Sequence, residues 1–391
     1  MNVLKAERFI VLDSFRGLCA LSVVLFHVHV PNSLTEWAFF RNSHLFVEFF
    51  FVLSGFVLFH TYKKLSRFDD FKQFIVKRLF RLYPLHIFML AIFILFEFGK
   101  GFAEMKGFSF NGHAFSGSNS PHEIIPNIFL LQAWLNNADA LSFNGPSWSI
   151  SAEMYVYVLF ALIIILSRKF GIYIFASIAA FAFFNLISET DLYKMTALRV
   201  CSCFFLGTLT YCAHSRIASR CFSRTTLTLL ESLVVLGIFI ILSADIKNQG
   251  VIASIWFSIV IVIFSFEGGL ISSFLKQKYF AILGKLSYSI YMIHLAVIFV
   301  LVSSALILSR FTLSNFAPML KDPRSGEMIR YVSAGSPLAN NLLVLAVLVV
   351  IVMLAQLSWR YIELRGITLG QKILSFRPNM NVNLEELPSE S

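Results

Sequence analysis

Charge is what this 391-residue chain has least of. Asp, Glu, Lys and Arg make up 14% of it, against about a quarter of a soluble globular domain. So few charges cannot cover a water-facing surface. Together with 57% hydrophobic residues and a mean hydropathy of +0.75, this makes lipid the expected solvent. Cysteine is sparse as well. Cys19, Cys201, Cys203, Cys212 and Cys221 lie in or beside apolar runs, which excludes a disulfide framework. Cys201 and Cys203, two apart, point to different sides of a helix, so no metal site is expected there. The sequence has no internal repeat, no heptad run, and no stretch suited to an appended soluble catalytic domain. The first apolar run is interrupted by Asp13 and Arg16, and no small-residue cleavage site follows it, so a cleaved leader is not expected.

What is present is a series of apolar runs near the 20 residues needed to cross a bilayer. Ten are expected to span: residues 12–30, 44–62, 84–98, 147–167, 171–187, 197–213, 227–243, 251–266, 286–308 and 338–359. The fold expected is all-α and polytopic. The apolar stretch 124–135 is too short and reads as re-entrant or interfacial. Phe68, Phe71, Phe74, Ile75, Leu79 and Leu82 recur at helical spacing between Lys72, Lys77, Arg78 and Arg81, which predicts an amphipathic helix on the membrane surface. Pro84 then stands where a new span should begin. With ten spans both termini share one side. That side carries 21 of the 32 Lys and Arg and the opposite loops carry 9, which predicts cytoplasmic termini. This topology accounts for the net charge of +10, and with no basic soluble domain a nucleic-acid partner is not expected. Loops 99–122 and 310–337 should face outward. Residues 376–391, polar and acidic, should form a disordered cytoplasmic tail.

Ionisable groups inside spans cost several kcal/mol unless paired or hydrated, so each is a functional candidate. Asp13, Arg16, His27, Glu48, Glu153 and His294 form that set. Arg16 and His27 are eleven residues apart, which places them on one helix face about 16 Å apart along the axis. Asp13 shares that face. His27 could equally be a packing histidine bonded to a neighbouring helix, and Arg16 a snorkelling anchor. Arg78 and Arg81, three apart, share a face and could hold an anion with Arg16, or simply bind lipid headgroups. Glu153, in the run Trp148-Ser149-Ile150-Ser151-Ala152-Glu153-Met154-Tyr155, could be only a helix-start carboxylate, and so could Glu48. His294 could be a core histidine, and Trp148 and Tyr155 belt residues.

These motifs, in this order, resemble the membrane acyltransferase 3 family. The matching stretches are Leu12-Asp13-Ser14-Phe15-Arg16-Gly17 with His27, Glu48-Phe49-Phe50-Phe51-Val52-Leu53-Ser54-Gly55, Arg78-Leu79-Phe80-Arg81-Leu82-Tyr83-Pro84, Trp148 to Tyr155, and Leu283-Gly284-Lys285-Leu286-Ser287-Tyr288-Ser289-Ile290-Tyr291 with His294. The resemblance runs over residues 8–365. One departure is Tyr361-Ile362-Glu363-Leu364-Arg365, where the family often has a proline after the glutamate. The resemblance implies an acyltransferase domain over residues 1–375 in a bacterial inner membrane. It implies O-acylation of a surface or lipid-linked saccharide from cytoplasmic acyl-CoA, usually acetyl-CoA, with no tightly bound cofactor. The family's arginine–histidine motif falls on Arg16 and His27, and its paired arginines on Arg78 and Arg81. His27 is then expected as general base, with Glu153 as the carboxylate on its other nitrogen. Arg16, Arg78, Arg81, Asp13, Ser151, Trp148, Tyr155, Glu48 and His294 are expected to contact substrates. A transporter is the alternative, since one polar face inside the membrane also suits a solute path; a scaffold ranks below both. Acceptor identity and acylated position, acyl length, direct transfer versus an acyl-histidine intermediate, and oligomeric state are open at this point, direct transfer being the default.

Overall fold

The computed structural model describes residues 9–375 apart from 109, 111, 168, 191, 192, 313 and 323–325. The expected tail 376–391 lies outside the described residues. Eleven long helices make up the bundle: α1 Ile10–His27, α2 Phe46–Tyr62, α3 Phe68–Met105, α4 Ser147–Leu166, α5 Gly171–Ile187, α6 Met195–Ile217, α7 Arg224–Ser243, α8 Gln249–Phe264, α9 Lys278–Phe311, α10 Pro337–Ser358 and α11 Leu364–Ser375. A helix falls on each of the ten expected spans. Among the described residues, eight helical stretches are long and apolar enough to cross a membrane. α5 and α8, with 17 and 16 residues, are shorter than a span of about 20. The chain is therefore an all-α polytopic membrane protein. A two-stranded hairpin, Met319–Lys321 against Met328–Arg330, forms within the loop 310–337.

One expectation is corrected. The segment 68–83 is not a separate surface helix, and Pro84 does not open a new one: α3 runs unbroken through Pro84. Proline removes one backbone donor from a helix and crowds the carbonyl four residues back, here Phe80. Neighbouring helices pack closely around this turn. The Tyr288 hydroxyl donates to the Leu82 carbonyl at 2.5 Å. α11 lays its backbone against Phe80 and Pro84, so closely that a Cβ on Gly366 would stand 2.6 Å from the Phe80 oxygen and 2.7 Å from the Pro84 ring. α11 itself continues from α10 through a π-helical turn, Trp359–Glu363.

Small residues let helices close on each other where lipid supplies no hydrophobic drive between them. A Cβ on Gly17 would lie 2.5 Å from the Leu283 carbonyl carbon, and one on Gly284 would lie 2.2 Å from the Asp13 oxygen. α1 and α9 thus touch backbone to backbone and run the same way. Ten residues further along both, His27 and His294 meet. The stretch 124–135 contains only a short helix, Ile124–Ile128, followed by turns. Ser151 accepts from the Ala133 amide at 3.1 Å and donates to the Leu130 carbonyl at 2.5 Å, pinning those turns against α4.

Candidate active site

The first half of α3 lies beside the end of α2, where the Arg78 guanidinium is 5.7 Å from the Tyr62 ring centroid, 5.9 Å from Phe74 and 5.7 Å from Tyr157. Arg78 and Arg81 sit one turn apart on α3 and, with Arg16 from α1, line one cavity of about 320 Å³. Asp13, Ser54, Glu153, Tyr157, Tyr288 and Tyr291 also line it, with Ser149 and Ser287. Arg78 Nε is buried and has no hydrogen-bond partner. A buried donor left unmade is costly, and three guanidiniums around one space suit the oxygens of a polyanion. The five sequence candidates Asp13, Arg16, Arg78, Arg81 and Glu153 therefore converge, although they come from three helices.

His27 is placed differently. It is the last residue of α1, at the end of the helix remote from the arginines. Its Nδ1 lies 3.0 Å from the Val23 carbonyl and 3.2 Å from His294 Nε2. His294, fully buried on α9, points its own Nδ1 at the Tyr291 carbonyl, 2.7 Å away. A carbonyl can only accept, so each Nδ1 must carry the proton; the tautomers follow from this hydrogen-bond pattern. His294 Nε2 is then a lone pair, and the single His27 Nδ1–H is shared between it and the Val23 carbonyl. His27 Nε2 is left bare, which is the state a general base needs. Tyr291 joins this pair to the cavity: it lines the cavity, and its ring centroid is 6.0 Å from that of His294.

The expected pairing of Glu153 with His27 is corrected. Glu153 accepts a short hydrogen bond from the Ser54 hydroxyl, and Ser54 is 3.2 Å from the Tyr157 hydroxyl. Glu153 lines the cavity and faces Ser54 of α2, whereas His27 lies at the end of α1 against His294. Four further candidates lie outside the cavity. Ser151 holds the turns after Ile128. Tyr155 is partly exposed and donates to the Phe129 carbonyl at 2.9 Å. Trp148 is buried beneath the Arg199 guanidinium at 4.8 Å, and Glu48 forms an ion pair with Arg199 at 2.6 Å.

Three residues not singled out in the sequence carry structural weight. Arg41, 5% exposed, donates to the Thr35 carbonyl at 2.6 Å, to the Phe26 carbonyl at 3.1 Å and to the Val28 carbonyl at 3.0 Å. It thereby clamps the main chain on both sides of His27, a cation at the end of a helix where carbonyls lack partners. Its Nη1 also donates to His29 Nδ1 at 3.0 Å. Burial, and then the Arg41 charge, push His29 down to about 4. Glu97, inside α3, accepts from the Phe115 amide at 2.8 Å and the Asn119 side chain at 2.7 Å, tying down the loop after α3. Glu231 accepts from the Gly269 and Ser272 amides at 3.0 and 3.1 Å, at the start of the short helix Leu270–Leu275. A charge within an apolar run was the available signal for these last two; Arg41 gave none beyond its type.

Comparison with known proteins gives a consistent result. Residues 9–360 match the family model described as an acyltransferase domain. An 88-residue segment, 22% of the chain, is 44% identical to protein 2 in the picA locus of Rhizobium radiobacter and covers 44% of that protein. A 126-residue segment, 32% of the chain, is 33% identical to acyltransferase MdmB of Streptomyces mycarofaciens and covers 29% of it. The chain thus matches less than half the length of either curated relative. No solved structure matches.

Proposed function

We propose that this chain, which belongs to the membrane acyltransferase 3 family, moves an acyl group, in the first instance acetyl, from acyl-CoA to a hydroxyl of a surface or lipid-linked saccharide. The observation that carries the reading is the cavity walled by Arg16, Arg78 and Arg81, with the His27–His294 pair beyond its Tyr291 end. CoA is a polyanion with a long thin arm. Its phosphates suit the three guanidiniums, and its arm suits a cavity leading from them toward Tyr291. The lysine and arginine bias of the loops supports a cytoplasmic arginine end and an inner-membrane location.

In the reaction proposed, His27 Nε2 takes the proton of the acceptor hydroxyl as its oxygen attacks the thioester carbonyl. The new C–O bond forms and the C–S bond breaks. The departing thiolate recovers the proton from the His27 imidazolium, so no proton is lost or gained overall. The Val23 carbonyl holds His27 in the productive tautomer, and His294 Nε2 shares its Nδ1–H as charge develops. Glu153, bonded to Ser54, sets the polarity of the cavity wall and is not assigned a proton.

Purified protein in lipid, given acetyl-CoA labelled in the acetyl group and extracted surface glycans, should release CoA in step with label entering the glycan. A solute carrier would release no CoA. CoA release without transfer to any glycan would remove the saccharide from the proposal.

A further inference from the structure

A second cavity of about 260 Å³, with an apolar wall that includes Phe183, Leu186 and Met195 and a polar wall opposite, lies toward the end of the bundle remote from Arg16, Arg78 and Arg81. His44 precedes α2, and Gly250 is in the first turn of α8. Glu48, Arg199, Ser202 and Ser254 also line it. Glu48 is 3% exposed, and its Oε1 takes the Arg199 Nε at 2.8 Å and Nη2 at 2.6 Å. Its other oxygen, Oε2, is buried and has no hydrogen-bond partner. A carboxylate oxygen can only accept, so this atom calls for a donor from a ligand. A guanidinium carries five N–H donors, of which the Glu48 pair engages the one on Nε and one on Nη2. Ser202 and Ser254 donate their protons to the carbonyls of Arg199 and Gly250 at 3.0 and 2.7 Å; the Ser254 oxygen already accepts from the Cys203 thiol at 3.1 Å and keeps one lone pair, and the Ser202 oxygen remains an acceptor.

The lining therefore both donates and accepts, while its one carboxylate and one guanidinium compensate each other. An ion has little to gain there; a neutral group bearing several hydroxyls can satisfy both kinds of partner. The cavity is smaller than the roughly 300–1,000 Å³ of usual ligand pockets, so it suits one ring rather than an oligomer. It is also near the proposed chemistry: the Phe26 ring centroid is 5.0 Å from that of His44 and 4.7 Å from that of His27. We propose that this cavity is an acceptor subsite that holds one neutral sugar unit next to the unit being acylated. The inference rests on the saccharide acceptor proposed above.

Gly250 gives the test. A Cβ there would lie 3.8 Å from Glu48 Oε1 and 3.7 Å from the Leu45 side chain, ordinary contacts. Gly250→Ala should therefore fold, and Gly250→Leu should fill the space beside the carboxylate. The full chain in lipid nanodiscs is probed by saturation-transfer NMR with the methyl glycosides of glucose, galactose and mannose, and with methyl glucuronide as a charged control. At least one neutral glycoside should take up saturation, more strongly than the glucuronide. Gly250→Leu should reduce that signal at least fivefold, and Gly250→Ala should retain more of it. Acetyl-CoA binding is measured on the same samples and should be equal in all three proteins. No transfer to any neutral glycoside, a preference for the glucuronide, or an equal signal in Gly250→Leu would overturn the subsite. Loss of acetyl-CoA binding from the unsubstituted protein would instead overturn the transferase reading, whatever the sugars do.

Discussion

His294 Nε2 stands 3.2 Å from His27 Nδ1, and both rings turn their Nδ1 to a backbone carbonyl. Two histidines from helices 267 residues apart in sequence thus act as one unit. The proton positions are dictated by main chain, not by a carboxylate.

The first prediction concerns that unit. His294→Phe removes the acceptor facing His27 and should lower kcat about 10- to 100-fold, by analogy with the loss of the outer partner of a metal-bound histidine. KM for acyl-CoA should change little. Partial recovery in His294→Gln, whose side-chain oxygen can accept in place of Nε2, separates an orienting role from simple packing. Steady-state kinetics on the two variants decides it.

A second prediction addresses the arginine end. Arg78→Ala with Arg81→Ala removes charge-assisted hydrogen bonds worth roughly 1.5–3 kcal/mol each, so acyl-CoA affinity should fall by at least tenfold. Dephospho-CoA should show a smaller loss than CoA if one of these arginines takes the 3′-phosphate. Calorimetric titration in detergent reads both. Equal affinities in variant and unsubstituted protein would detach the cavity from CoA.

Arg41 should matter for stability rather than for substrate affinity. Arg41→Met leaves the carbonyls of Phe26, Val28 and Thr35 without their donor and Glu36 without its ion-pair partner at 2.9 Å. Removing one partner from a buried charged set costs about 3–5 kcal/mol. The thermal midpoint should fall clearly, with acyl-CoA binding per folded molecule unchanged.

His29 adds a pH dependence. Burial first and Arg41 second hold it down to about 4 in the folded chain, below the roughly 6.5 of a free imidazole. The unfolded chain then binds the proton more readily. The contribution of His29 is complete above pH 6.5 and is lost as pH falls toward 4. Thermal midpoints measured between pH 7 and 4 should decline less steeply in His29→Asn than in the unsubstituted protein.

Much of the fold was legible because a bilayer demands long apolar helices, and ten of them stood out in the sequence. The stripe from Asp13 through Arg16 to His27 was legible for the same reason: helical period fixes which residues share a face. What a single sequence does not fix is how one helix is rotated against another. Glu153 therefore looked available to His27, while its rotation turns it to Ser54 and Tyr157. Glu48 was visible as an intramembrane charge, but its pairing with Arg199 depends on the close approach of α2 and α6, where a Cβ on Gly55 would collide with the Phe204 oxygen. Pro84 misled because its local rule predicts a helix start, whereas Tyr288 and Gly366, far along the chain, support an unbroken helix across it.

The most direct test of the central claim is acyl transfer by His27→Gln, measured as labelled acetyl entering the glycan, with acetyl-CoA binding measured on the same preparation. The account predicts transfer reduced by at least a thousandfold with binding retained, since the base is lost and the arginine cavity is untouched. Full transfer by His27→Gln would contradict it.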